Sequence, residues 1–239
     1  MAPLSSLSFV LPALNEQANI GRAVSAAIAR LGSAGEVVVV DDGSTDATAA
    51  LVSALAAGDP RVRLIRHGRR CGYGAALRTG FAAARFDWVV VWDADGQFDL
   101  CDLDRLAAHA DTADVIVGRR ARRSDPQGRV VLGALWSALV RGVLAVRVRD
   151  IDCGFKLLRR SLLARLPLRA SGAAISAEIL CHAARSGGRI VEVDVRHLPR
   201  AGGRATGAAP AVALRGLAEL ARLAIATRRR KVRQTDLSV

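Results

Sequence analysis

The sequence predicts an α/β fold in which a mostly parallel, doubly wound β-sheet is flanked by helices. Short continuous apolar runs, of the kind found in buried parallel strands, recur along residues 7–117, and Ala-rich segments of helical length separate them. Three of these runs stop abruptly at polar residues, as strands do where they enter a loop. With 239 residues, the chain is long enough for one compact domain with a single core.

The individual elements can be placed in order along the chain. Strands are predicted at residues 7–11, 36–40, 62–65, 88–92, 115–117 and 190–195. Helices are predicted at about 18–31, at 47–57 with Thr45 or Asp46 as its N-cap, and from the glycine-rich turn at 72–74 through 81. Residues 129–146 are expected to form one or two helices, 150–156 a turn, and 211–227 an amphipathic helix.

The composition is strongly basic, with a formal net charge of +13. Such a charge is typical of proteins that bind nucleic acid or a membrane surface, but an Arg- and Ala-rich composition is also what a GC-rich genome favours. The arginines are dispersed, aromatic residues are only 4%, and no nucleic-acid-binding motif is present. We therefore expect no nucleic-acid partner.

Cysteine usage and hydropathy indicate the compartment. The four cysteines are far apart in sequence, form no CxxC pair, and do not cluster with the histidines at metal-ligand spacing. Reduced thiols in a cytoplasmic protein fit this pattern. The N-terminus lacks the features of a signal peptide, and the longest apolar stretch, residues 130–140, is shorter than the roughly 20 residues of a spanning helix. We expect a soluble protein or one peripheral to the inner face of the membrane.

Polar residues follow three of the predicted strands, at 12–16, 41–42 and 93–97. In parallel α/β sheets, ligands bind beyond the carboxyl ends of the strands, so these segments are expected to share one site. The pair Asp93-x-Asp95 supplies two hard oxygen ligands suited to Mg²⁺ or Mn²⁺, and Gln97 offers a third. Asp41 and Asp42 have the chemistry to accept hydrogen bonds from a base or ribose. Paired carboxylates also serve glycoside hydrolysis, which the sequence leaves open because it does not fix their separation.

The segment Gly72-Tyr73-Gly74 is similar to part of a dinucleotide-binding loop. It lacks the third glycine of that motif, because Leu77 occupies the position, and it follows the third strand rather than the first. No phosphate-binding loop of the NTPase type occurs either. These glycines are therefore predicted to allow close packing where a strand turns into a helix.

Seven short motifs, taken in order, resemble those of the inverting family 2 glycosyltransferases, which have a GT-A fold. The later motifs are similar to the branch of polyprenyl-phosphate sugar synthases, such as dolichyl-phosphate mannosyl- and glucosyltransferases. The resemblance covers about residues 7–223 and is carried by Pro12-Ala13-Leu14-Asn15-Glu16, Asp41-Asp42-Gly43-Ser44-Thr45-Asp46, Gly72-Tyr73-Gly74-Ala75-Ala76, Asp93-Ala94-Asp95-Gly96-Gln97, Gly118-Arg119-Arg120, Asp150-Ile151-Asp152-Cys153-Gly154-Phe155-Lys156 and Pro199-Arg200-Ala201-Gly202-Gly203.

The resemblance implies a single GT-A domain over residues 1–227, followed by a basic tail at 228–239, and a role for each matching residue. The nucleotide-sugar donor would be held by Pro12, Leu14, Glu16, Asp41, Asp42, Asp93, Ala94 and Arg204. Mg²⁺ or Mn²⁺ would be bound by Asp93, Asp95 and Gln97. The catalytic set would be Asp95, Asp150, Arg120, Arg129 and Arg200, with Asp150 near the acceptor and Glu178 at the acidic position of a later helix.

The implied reaction is inverting transfer of a hexose from a UDP- or GDP-sugar to a polyprenyl phosphate. An ionised phosphate acceptor needs no strong base, whereas a hydroxyl acceptor would need Asp150 or Glu178. A soluble acceptor is the alternative, favoured because Ala205-Thr206 replace the Ser-Lys of some members. The basic tail is either solvated or docked on anionic lipid together with the helix at 211–227.

Overall fold

A computed structural model describes residues 6–32, 34–200, 202 and 210–235, with side chains in the last segment described for 212–227. Seven strands form one sheet in the order β3-β2-β1-β4-β6-β5-β7. They span Ser6–Ala13 (β1), Ala34–Asp41 (β2), Val62–Arg66 (β3), Trp88–Trp92 (β4), Val115–Arg120 (β5), Phe155–Arg159 (β6) and Ile190–Val195 (β7).

Eight α-helices connect or flank these strands in the described part of the chain. They span Ile20–Arg30 (α1), Thr48–Gly58 (α2), Tyr73–Ala83 (α3), Leu103–Ala107 (α4), Gln127–Leu144 (α5), Arg160–Leu163 (α6), Ile175–Arg185 (α7) and Pro210–Thr235 (α8). A 3₁₀ turn at Leu100–Asp102 leads into α4. None of the helices among the described residues is both long and apolar enough to cross a bilayer.

The first half of the sheet follows directly from the valine-rich runs. β1 pairs in parallel with β2 and β4, and β2 pairs in parallel with β3. Val37–Val40 of β2 are fully buried, as are Phe9 and Leu11 of β1. Strands that are apolar on both faces are stable only when helices cover both sides of the sheet, so these runs place β1, β2 and β4 at its centre.

One prediction in the second half of the chain needs correction. The segment at 150–156 is a turn only as far as Gly154, because Phe155 and Lys156 begin strand β6. β6 lies antiparallel between β4 and β5, so one strand departs from the otherwise parallel sheet. A buried lysine inside a five-residue strand hides the apolar pattern on which the prediction depended.

The helix boundaries differ slightly from those predicted. Ala47, rather than Thr45 or Asp46, is the N-cap residue of α2, although Asp46 Oδ1 accepts a hydrogen bond from the Thr48 backbone N–H. α5 is one continuous helix. α8 runs through the predicted tail as far as Thr235, so position 227 is not a helix end. The division of the chain into a domain and a tail stays a prediction.

Candidate active site

The loop after β1 is joined to the loop after β2 by paired hydrogen bonds. Asn15 accepts from the Thr45 backbone N–H at 2.9 Å, and its own N–H donates to Ser44 Oγ at 2.9 Å. The Glu16 N–H donates to Thr48 Oγ1. These bonds hold Pro12 and Leu14, both half-buried, beside the end of β2. The first two strand ends therefore form one fixed wall of the candidate site.

Asp41 and Asp42, at the end of β2, are buried and fully engaged. Asp41 accepts from the Ser44 N–H at 3.1 Å. Asp42 accepts from the backbone N–H groups of Cys71 and Gly72, each at 2.8 Å. Hydrogen bonds of this kind to a buried carboxylate position the chain around it. Both aspartates thus lie where the donor was predicted to bind, and they also fix the turn that borders it.

A cluster that the sequence spacing did not indicate surrounds Asp42. Its Oδ1 atom lies 2.7 Å from His67 Nδ1, and ligand atoms of Asp42, His67 and Cys71 lie within 4.8 Å of one another. Sequence spacing alone did not indicate a site of cysteine and histidine, but the fold brings His67 and Cys71 together beside Asp42. His67 directly follows β3, so the rule that strand ends carry ligands could have indicated it. Hydrogen bonds to Thr79 and to the Arg69 carbonyl occupy the remaining atoms of His67 and Cys71.

The glycine-rich turn packs closely on the loop before α7. Gly72 has a φ of 108°, and a Cβ there would overlap the Ser171 carbonyl oxygen. The Gly74 N–H donates to the same oxygen at 2.9 Å. Only glycine tolerates this conformation and this approach without strain. Close packing, rather than a dinucleotide-type loop, therefore explains the two glycines, as the sequence predicted.

Asp93 directly follows β4 and lies within the candidate site. Its Oδ1 atom accepts a hydrogen bond from the Tyr73 hydroxyl at 2.9 Å, and its other oxygen faces the backbone of Gly154. Burial, reinforced by the charge of Asp95, raises the pKa of Asp93 to about 7. Tyr73 belongs to a motif that was singled out for its glycines, so its contact with Asp93 was not predicted.

Arg200 joins two of the predicted strand ends. Its Nη1 atom lies 3.2 Å from Asp95 Oδ2, and its Nη2 atom donates to Glu16 Oε1. The Nε atom donates to the Gly202 carbonyl, which also accepts from the side chain of Asn19, the N-cap residue of α1. Through these contacts, the segment after β7 touches the loops that follow both β1 and β4. Residues far apart in sequence are brought together as predicted.

Two further residues of the segment after β4, Ala94 and Gln97, face inward. Ala94 is buried, and the Gln97 side-chain amide donates to the Leu198 carbonyl at 3.4 Å. Gln97 thus links the segment after β4 to the segment after β7, and its role as a metal ligand stays a prediction. Arg204, predicted to contact the donor, lies outside the described residues.

Arg120 and Asp150 form a largely buried ion pair at the end of β5, with side chains 10% and 11% exposed. Arg120 Nη2 lies 2.6 Å from Asp150 Oδ1, and Asp150 Oδ2 accepts from Arg120 Nε and from its backbone N–H. Burial alone would raise the pKa of Asp150, but the hydrogen bonds and charge of Arg120 outweigh it and lower the pKa. Arg120 also lies close enough to Asp93 to stabilise its charged form. Its positive charge therefore reaches the predicted metal site.

We expect Asp150→Asn to lower the free energy of unfolding by about 3–5 kcal/mol, because Arg120 would be left buried without its counter-charge. The nearby pair Arg119–Asp194 is more exposed, so Asp194→Asn should cost less than about 1 kcal/mol. Urea unfolding at neutral pH measures both. The pKa of Asp150 in the folded protein is below its ordinary 3.8. The difference in free energy of unfolding between the wild type and Asp150→Asn should therefore be constant near neutral pH and should shrink as the pH falls through that lowered pKa. Equal costs for the two variants would contradict the assignment.

Arg129 lies at the start of α5, at the outer edge of the site. Its Nη1 atom is 3.7 Å from Asp125, which also pairs with Arg123 at 2.9 Å. Asp125 lies 4.0 Å from His197, whose pKa is lowered by burial and by the charge of Arg120. Arg129 is therefore linked to the site through Asp125. Among the described residues, no hydrogen bond joins Arg129 to the Arg120–Asp150 pair.

Three residues, two in the turn before β6 and one in β6 itself, were not recognised as a group. Lys156 is buried and donates to the Cys153 carbonyl and to Ser176 Oγ, and burial lowers its pKa. Burial raises the pKa of Asp152, although the charge of Lys156 and a hydrogen bond with Trp136 act in the opposite direction. Burial also raises the pKa of Cys153 to about 12, so this thiol packs rather than reacts.

Glu178 lies on α7, as the resemblance implied, and is buried. Its Oε2 atom accepts from the backbone N–H groups of Arg169 and Ala170 at 2.8 and 2.7 Å. These bonds hold the loop that supports the Gly72 turn. In this structure the carboxylate therefore fixes backbone rather than facing Asp93.

The Asp93–Asp95 pair has the chemistry of a divalent-cation site. The two carboxylates lie close enough at the end of β4 for one to raise the pKa of the other, so a positive charge between them would remove their repulsion. Their oxygens are the hard ligands that Mg²⁺ and Mn²⁺ prefer. The residues present therefore fit such an ion.

Comparison with known proteins identifies the family of this chain. The family model for glycosyl transferase family 2 matches residues 8–166. An uncharacterised glycosyltransferase of Mycobacterium tuberculosis is 33% identical over 217 residues, which cover 83% of this chain and 88% of that protein. The polyprenol monophosphomannose synthase of Mycolicibacterium smegmatis is 31% identical over 220 residues, covering 83% and 79%.

Solved structures are similar over nearly the whole chain. Glucosyl-3-phosphoglycerate synthase from M. tuberculosis, in complex with phosphoglyceric acid, has a TM-score of 0.73 at 25% identity and covers 92% of this chain and 80% of that one. Another structure of that enzyme holds Mn²⁺ and UDP-glucose. The mostly parallel seven-stranded sheet and the similarity to these solved structures confirm the predicted GT-A fold. The chain belongs to glycosyl transferase family 2 and is a glycosyltransferase.

Proposed function

We propose that this enzyme transfers a sugar, with inversion, from a UDP- or GDP-sugar to a polyprenyl phosphate, and that it requires Mg²⁺ or Mn²⁺. The observation that carries the proposal is Arg200, which joins the acidic end of β1, through Glu16, to that of β4, through Asp95. A cation-binding pair of aspartates beside two arginines, Arg120 and Arg200, is suited to a diphosphate.

The donor would lie across the strand ends. The wall formed by Pro12, Leu14 and Glu16, with Asp41 and Asp42 beneath it, would hold the nucleoside. The diphosphate would then lie between Asp93 and Arg200. A divalent ion held by Asp93 and Asp95 would neutralise charge on the leaving diphosphate when bound. Arg204, the next arginine along the chain, is proposed to assist Arg200 in binding the diphosphate.

The reaction needs one displacement. An oxygen of the acceptor phosphate forms a bond to the anomeric carbon as the bond from that carbon to the nucleoside diphosphate breaks. Arg120 and Arg200 would stabilise the departing charge, since both are fixed by hydrogen bonds before the reaction. Arg129, at the edge, would add positive charge where the acceptor enters.

The engagement of the candidate bases supports a phosphate acceptor. Asp150 is held by Arg120, which lowers its pKa and makes it a weak base. Glu178 accepts two backbone hydrogen bonds. A phosphate ester is ionised near neutral pH, with a second pKa of about 6, and needs neither carboxylate to remove a proton. The similarity to a polyprenol monophosphomannose synthase points in the same direction.

A second candidate is transfer to the hydroxyl of a small soluble acceptor. The structural likeness to glucosyl-3-phosphoglycerate synthase favours it. Asp152 also favours it, because burial raises the pKa of this carboxylate. A hydroxyl acceptor would need such a group to take its proton.

The deciding experiment offers labelled UDP- and GDP-sugars, with Mg²⁺ or Mn²⁺, to the enzyme with polyprenyl phosphate, with phosphoglyceric acid, or with neither. Label that becomes extractable into organic solvent only with the lipid, and that a chelator abolishes, would support the proposal and name the donor. Transfer to phosphoglyceric acid alone would support the second candidate. If no donor is consumed under any condition, both are wrong.

A further inference from the structure

Helix α5 is apolar and yet mostly exposed. Of its 18 residues, Gln127–Leu144, only Ser137 and Val140 are buried. Its side chains Leu132 and Leu135 are 67% and 62% exposed. Together with Leu139 and Val143, they recur every three or four residues and so form a stripe along one face of the helix. A stripe of this kind normally packs against something.

Helix α8 carries a matching stripe beside it. Leu214 is 68% exposed, and Leu217 and Ile225 are also exposed at helical spacing. The two helices touch where the Trp136 ring lies against Gly216, at 3.5 Å from the position of an added Cβ. Because Trp136 follows Leu135 and Gly216 precedes Leu217, the two stripes flank the same contact. We call the combined surface the α5–α8 face.

The charges around the α5–α8 face have one sign. Over residues 127–144 and 212–227, the charged side chains are four arginines and Glu219. Glu219 is buried and bonded to the backbone of Ser171 and Gly172, so it adds no exposed negative charge. Beyond residue 227, the sequence of α8 adds five basic residues over 228–233. Exposed leucines bordered by cations complement a surface that is apolar inside and anionic outside.

The face also borders the candidate active site. α5 begins at the Asp125–Arg129 pair, which follows Arg120 in the chain. Glu219 of α8 holds the loop at Ser171 on which the Gly72 turn rests. If the α5–α8 face binds to a surface, the candidate active site therefore lies next to that surface.

We infer that the α5–α8 face docks on an anionic lipid bilayer, with its leucines inserted among the lipids and its arginines at the phosphate groups. This inference does not rest on the proposed acceptor, because an enzyme acting on a soluble substrate can dock in the same way.

The test is co-sedimentation of the full chain with phosphatidylcholine vesicles, with and without phosphatidylglycerol. We expect binding only to the anionic vesicles, weakened at high salt. The double variant Leu132→Asn/Leu214→Asn should lower the partition coefficient roughly tenfold or more, since one inserted leucine is lost from each helix. The matched control is Leu51→Asn, at an exposed leucine of α2 outside the face, and it should bind like the wild type.

Several outcomes would overturn the inference. They are no binding to anionic vesicles, equal binding to neutral ones, and equal loss in Leu51→Asn. If the wild type instead forms a dimer in solution that the double variant abolishes, the face is an interface between copies. Circular dichroism and the melting temperature establish that each variant is folded. Sedimentation requires no donor or acceptor, so its result is independent of the test of activity.

Discussion

Replacing Asp95 with Asn is expected to lower kcat for sugar transfer about 1,000-fold, while the protein stays folded. Asp95 is proposed to be one of two carboxylates that hold the divalent ion, whose stabilisation of leaving-group charge amounts to several kcal/mol. About 4 kcal/mol corresponds to that loss. Asn has nearly the same shape, and Arg200 keeps its contact with Glu16, so the surroundings need not rearrange. Initial rates at saturating donor and metal measure the effect.

The control for this prediction is Asp104→Asn. Asp104 is also an aspartate paired with an arginine, Arg30, but its side chain is 69% exposed on α4, away from the strand ends. It should leave kcat within about twofold of the wild type, since exposed pairs contribute little. A near-normal rate for Asp95→Asn at saturating Mg²⁺ or Mn²⁺ would show that the pair Asp93–Asp95 does not bind the ion.

The central strands could be predicted because burial on both faces leaves a continuous apolar run. β2 and β4 illustrate this, since Val37–Val40 and Val89–Val91 need no alternation to be recognised. β6 could not be predicted in the same way. It contains Lys156, which its neighbours Cys153 and Ser176 accommodate in the interior, and its antiparallel pairing leaves no mark on a single sequence.

The candidate site divides along a similar line. Polar residues that directly follow a strand, such as Asp42 and Asp93, could be predicted to meet because parallel strands end at one edge. The contacts of Tyr73 with Asp93 and of His67 with Asp42 depend on how a turn packs over that edge. The pairing of Arg120 with Asp150 likewise joins two motifs that the sequence leaves separate, and it turns a candidate base into a counter-charge.

Gly154→Ala is expected to reduce transfer activity at least about 100-fold, although it replaces none of the residues proposed to bind the metal ion. Gly154 ends the turn before β6, and a Cβ there would overlap the Oδ2 and Cγ atoms of Asp93. The Tyr73 hydroxyl holds the other oxygen of that carboxylate, so Asp93 cannot move aside without losing a hydrogen bond. Asp93 must be placed to within a fraction of an ångström, and displacing such a group lowers the rate about 100-fold. Overpacking should also lower the free energy of unfolding by about 1–3 kcal/mol.

The matched control is Gly21→Ala in α1, where an added Cβ meets nothing within 4 Å. Alanine is the better helix former there, so this variant should be more stable by roughly 0.5–1 kcal/mol and fully active. The Gly154→Ala variant should need a higher concentration of Mg²⁺ or Mn²⁺ for half-maximal rate, which a loss of stability alone would not produce. If its metal requirement and rate match those of Gly21→Ala, the close approach of Gly154 to Asp93 has no part in placing that carboxylate. A change in metal requirement confined to Gly154→Ala would make the turn before β6 a positioning element of the site.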